Sequence, residues 1–164
     1  MKKIILIATV LISIVALSVS IFLYANQKKI AYVDNGKLYD EFTLKKEYEK
    51  QINGIRISRK NMLDSIEMGV KQLEAGKFFD EARYAKEIYM EKLRQFEDEE
   101  ESLLQEYNVQ IWKRLNQYAV DFAKEKNIDL LFGASGNGTL LHADAELDLT
   151  KEMIVYANKK YDGK

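Results

Sequence analysis

Between Thr43 and Asn127 apolar side chains recur at alternating steps of four and three. One register runs through Tyr48, Ile52, Ile55, Arg59, Met62, Ile66, Gly69 and Leu73, and six of its eight positions are apolar or aromatic. That spacing predicts a seam on one face of a helix that packs against a partner helix, as in a coiled coil. A second register passes through Tyr89, Leu93, Phe96, Glu100, Leu103, Tyr107, Ile111, Leu115, Tyr118 and Phe122, with nine of ten positions fitting. Its successive steps of four between Leu103 and Leu115 resemble a stutter, which loosens supercoiling locally. Between the registers lies EAGKFFDEA, where Gly76 can end one helix and Asp80 can start or cap the next. The expected unit is an antiparallel helical hairpin, with helices over about 43–75 and 80–126 that are roughly 50 Å and 70 Å long. The seam interruptions Arg59 and Glu100 are expected to face one another across it. The longer helix, around Trp112, Leu115, Tyr118 and Phe122, must bury its apolar face against something else.

Outside the hairpin the period changes. Ile30–Val33 reads as a short strand with Asp34 as a cap for the segment after it, and NIDLLFGAS (127–135) as a second strand. TLLHA (139–143) reads as a third, reached through SGNG, whose glycines and asparagine accept positive φ. A closing helix starts at Asp148 or Thr150, with Met153, Ile154 and Ala157 on one apolar side. The fold class expected is therefore α+β: a long antiparallel coiled-coil hairpin (43–126) projecting from a small strand-containing oligomerisation base (28–42 and 127–164). Three short strands and two helices leave apolar surface uncovered, and self-association is the remedy.

The amino terminus has a different pattern. After Met1-Lys2-Lys3, the segment Ile4–Ala25 has no charged residue, and as a helix its length of about 33 Å matches a bilayer core of about 30 Å. Residues 1–27 are expected to be either a secretory signal, cut near Ala16/Ser18 or Ser18/Ser20, or an uncleaved inner-membrane anchor through 4–25. Either way the remainder is exported.

Chemistry is sparse. There is no cysteine and one histidine, His142, which excludes thiolate sites and a multi-histidine metal site. No Ser-His-Asp arrangement surrounds His142, which reads as an ordinary strand or loop residue. The acidic run Glu97–Glu101 spreads around a helix and cannot converge on a cation. G-x-x-G-x-G at 133–138 leads into a strand, whereas a dinucleotide fingerprint leads into a helix, and no phosphate-binding lysine comes after it. No catalytic residue, cofactor or metal is expected. With 25 basic and 26 acidic residues no broad field attracts nucleic acid. The absence of proline suits long uninterrupted helices.

KIAYVDNGKLYDEF (29–42), the charged helical hairpin and KNIDLLFGASGNGTLLHADAELDLTKEMI (126–154), taken in that order, resemble the OmpH/Skp family of periplasmic chaperones. The resemblance implies a homotrimer, its base sharing β-structure, with three arms around a cavity that holds unfolded outer-membrane proteins without ATP. On that reading Phe78 and Phe79 at the tip, with Met62, Met68 and Tyr84 along the arm, are the expected client contacts, since such side chains adapt to varied partners. Ile30, Tyr32, Leu130, Phe132 and Leu140 are the expected oligomerisation residues. Well-known members have basic arms, whereas residues 44–126 here carry 16 basic and 17 acidic side chains, so electrostatic capture of acidic clients is expected to be weak. The alternative from another class is a membrane-anchored structural tether without chaperone activity.

Overall fold

The computed structural model describes residues 2–25, 27–136, 138 and 140–163, without the side chains of 3–10 and 25. It is mostly helical. In chain order come α1 (Lys2–Ala25), β1 (Ile30–Asp34), α2 (Asn35–Glu41), α3 (Thr43–Ala75), α4 (Phe79–Lys126), β2 (Leu130–Ala134), a 3₁₀ turn (Ala145–Leu147) and α5 (Thr150–Tyr161).

α3 and α4 lie side by side, and their contacts climb one helix while descending the other. Tyr48 stacks on Tyr107, Arg56 reaches Glu100, Arg59 reaches Glu99 and Lys86 reaches Glu74. The connection is tight: Gly76 caps α3 in a right-handed conformation, and Lys77 takes the positive φ of 63°. Asp80 does not cap α4, because that helix begins one residue earlier at Phe79; Asp80 sits in its first turn and pairs with Arg83. Acidic residues in the first turn of α4 and Lys124 and Lys126 in its last complement the helix dipole. Asn127 ends the helix in the left-handed conformation.

The open end of the pair is closed by the base. β1 and β2 form a two-stranded parallel sheet in the register Ile30↔Leu130 to Asp34↔Ala134. Parallel pairing requires a long crossover, and α2, α3 and α4 supply it. Alternate residues of β1, Ala31 and Val33, face inward. Val33, Leu38, Phe42 and Leu44 meet Ile111, Leu115 and Phe122 of α4 and Met153 and Ala157 of α5 in one buried cluster. The apolar face of the longer helix is therefore buried against the base, with Trp112 stacked on Tyr39. A methyl group on Gly133 would stand 2.5 Å from the Asn35 side chain, which explains a glycine within β2.

The expected third strand at 139–143 does not form among the described residues. Thr139 and Asn137 lie outside them, and Leu140–Ala143 joins no ladder. The segment that reaches the sheet is instead a later one, on the other edge of β1, where Asp148 bridges to Tyr32 and the Leu149 N–H donates to the Tyr32 carbonyl at 3.0 Å. The glycines of the preceding turn do take positive φ, 70° at Gly136 and 88° at Gly138.

Among the described residues no backbone contact joins α1 to another element. Among the described residues no helix is long and apolar enough to cross a membrane. The described apolar side chains of α1 cover only 11–24, so the expected span 4–25 lies partly outside them.

Candidate functional site

The candidate residues lie on the α3–α4 pair and around the sheet. Along α4 the second register is buried or half-buried at all ten positions. Along α3 the first register is buried or half-buried at every position but Met62, and half-buried Leu63 and buried Val70 widen the stripe beside it. Leu63 and Val70 lie one residue past Met62 and Gly69, so the covered stripe is broader than a strict seven-residue seam and at this point runs through Leu63. Met62 is thereby turned outward and is half-exposed, at 50%.

Arg59 interrupts the stripe with a charge. A guanidinium cannot enter a two-helix seam unpaired, and this one lies over the Phe96 ring, 4.9 Å from its centroid. It donates to the Phe96 carbonyl at 2.9 Å and to Glu99 at 2.6 Å. Glu100 is instead bound by Arg56, through Nε at 3.0 Å and Nη2 at 2.6 Å. The two seam interruptions line the same groove, and the Arg59 charge acts on Glu100, but their hydrogen bonds go to other partners. The hydrogen bonds from Arg56 hold the Glu100 carboxyl below the usual carboxylate range. Beside these pairs runs a groove of about 530 Å³, with Leu63, Tyr89, Leu93, Phe96 and Leu104 on its floor.

The five expected client contacts are all exposed: Phe78 at 56%, Phe79 at 69%, and Met62, Met68 and Tyr84. Phe78 and Phe79 stand together at the turn. The structure does not gather the others with them, since the methionines lie along α3 and Tyr84 one turn into α4. Periodicity alone does not single out Ile57, Met90, Leu104 and Val109, which are also exposed on the pair. They lie off both registers, and large apolar residues off a seam are the available signal.

On the sheet, Ile30, Leu130 and Phe132 are exposed on the face opposite the core, while Tyr32 and Leu140 are half-buried. The buried neighbours Ala31 and Val33 alternate with them. Asp148 and Thr150 lock this region. The Thr150 hydroxyl donates to Asp148 and accepts the Asp34 N–H at 2.9 Å. Hydrogen bonds from Thr150 hold the Asp148 carboxyl low, and the backbone N–H of Lys37 does the same for Asp34. His142 is an exposed loop residue, and among the described residues no cluster of carboxylates and histidine could hold a metal ion.

A small packed base carrying a long helix pair, with apolar side chains presented to solvent along it, defines a binding scaffold with a dispersed contact surface. Residues 29–162 match the family model described as Outer membrane protein (OmpH-like). The chain belongs to that family, whose members are periplasmic chaperones and not enzymes. No curated protein matches.

Proposed function

We propose that this protein is an ATP-independent holdase that binds unfolded outer-membrane proteins in the periplasm. The observation that carries the proposal is the exposure of Phe78, Phe79, Met62, Met68 and Tyr84 on a slender helix pair, together with family membership. Many weak apolar contacts sum to avidity without imposing one client conformation. In this reading α3 and α4 form an antiparallel coiled-coil hairpin that acts as the holding arm. Three copies assemble through the outer face of the sheet, where Ile30, Leu130 and Phe132 would otherwise remain in water. The near balance of charge along the arm makes apolar contact the main source of affinity.

The test is suppression of aggregation when a denatured outer-membrane barrel is diluted into buffer with the purified protein and no nucleotide. Suppression that weakens in Phe78→Ser/Phe79→Ser supports the proposal; no suppression by the unaltered protein ends it. Light scattering tests assembly, with a trimer expected and a monomer at micromolar concentration contrary to it.

A further inference from the structure

α4 runs unbroken from the tip into the base, but α3 does not: its only covalent link to the base is a break at Phe42, one residue between α2 and α3. Phe42 is extended, with φ −73° and ψ 129°, and provides no side-chain cap to α3. The first N–H groups of a helix and the last carbonyls of the one before it lack intrahelical partners, so helical hydrogen bonds do not hold the backbone here, although the Phe42 and Leu44 side chains are anchored in the core.

Here both sides of the break are held by one side chain from the far end of the chain. Asn158 of α5 accepts the Thr43 N–H at 2.8 Å and the Thr43 hydroxyl at 3.0 Å through its carbonyl oxygen. Through its amide nitrogen it donates to the Glu41 carbonyl at 3.1 Å. A carboxamide offers donor and acceptor together, so it stands in for the peptide hydrogen bonds that the break removes. A second side chain of the same helix, Tyr161, donates to Glu47 one turn into α3, and its ring packs edge-on against Phe42 at 5.6 Å. The junction also has the Lys45–Asp40 pair, whose Asp40 is exposed and whose Lys45 is half-buried over the Tyr39 ring; an ion pair open to solvent on one side contributes little.

We propose that Asn158 is a positioning residue that turns the α2–α3 break from a hinge into a fixed elbow, and so sets the direction in which α3 leaves the base. This concerns the geometry of the arm and stands whether or not the arm holds clients.

The absence of cysteine allows spin labels at Lys50→Cys on α3 and Lys151→Cys on α5, with labelled chains diluted into unlabelled ones so that only distances within a chain are read. The unaltered elbow should give one narrow distance. Asn158→Ala should broaden it, and Asn158→Asp should broaden it less, because the carboxylate still accepts from Thr43 but cannot donate to Glu41. Lys45→Ala should leave it unchanged. An unchanged distance in folded Asn158→Ala would overturn the proposal, as would a Lys45→Ala broadening equal to that of Asn158→Ala. A measurement on the unsubstituted protein guards against a variant that fails to fold. The Thr43 amide, at a first helical position that ordinarily exchanges freely, should exchange on the order of fivefold or more slowly than an unbonded amide, and unprotected exchange there would refute the elbow.

Discussion

The two ends of α4 present apolar residues at the same spacing, yet they have different fates. From Ile111 to Phe122 the face is enclosed by α2, α5 and the foot of α3, and Ile111, Leu115 and Phe122 are buried. From Tyr89 to Leu103 only α3 lies opposite, and every position of the register stays half-buried. Periodicity states which face of a helix is apolar; the number of elements that converge on that face decides how much water it loses. The base end therefore carries stability, and the arm end keeps apolar surface available.

This contrast can be tested by truncating one ring at each end. Phe122→Ala should cost about 3–5 kcal/mol, the usual loss for a buried aromatic ring, whereas Phe96→Ala should cost well under half of that. Urea unfolding followed by circular dichroism reads both, and equal losses would abolish the distinction between the two ends.

Next in size is Thr150→Val, which leaves the Asp34 N–H without its acceptor in a nearly enclosed place and should cost about 1–3 kcal/mol. It also carries a pH signature. The Asp148 carboxyl is held low by Thr150, so the stability this contributes is complete above the ordinary aspartate range and disappears as pH falls through the lowered value. Thermal melts from pH 6 to 2 should show a shallower acid slope in the variant than in the unaltered protein.

The smallest effect belongs to the ionic stitching of the arm. A double-mutant cycle between Arg59 and Glu99 should show coupling, and one between Arg59 and Glu100 should show less, because the hydrogen bonds run Arg59 to Glu99 and Arg56 to Glu100. Arg59→Ala should cost more than Glu99→Ala, since it also removes the contacts to the Phe96 ring and carbonyl. Coupling stronger for Arg59 with Glu100 would reverse this pairing.

The helices are readable because their signals are local. The bounds of α3 and α4 follow from a charged and apolar period ending at Gly76 and Asn127, and the cap at Asp34 follows from an acceptor placed before a helical turn. The features that periodicity misses depend on contacts far apart in the chain. No property of Leu140–Ala143 announces that this run joins no ladder while Asp148, farther along the chain, bridges to β1. That Met62 is exposed while Leu63 beside it is half-buried depends on where the other helix lies. The Asn158 bridge joins residues 115 positions apart, beyond the reach of any periodic pattern. The exposed residues named from sequence are indeed at the surface, but seam logic alone leaves Met62 as a core candidate.

The parallel pairing of β1 with β2 has one more consequence. Its partners stand a hundred residues apart, so a chain that emerges amino end first presents β1 long before anything exists for it to pair with. The long helices, whose contacts are closer in sequence, can zip together while synthesis continues, but closure of the sheet must wait for the last segment to emerge. A polypeptide halted before Leu130 would thus have finished tentacles on an unsealed root, and quality-control proteases should find it there.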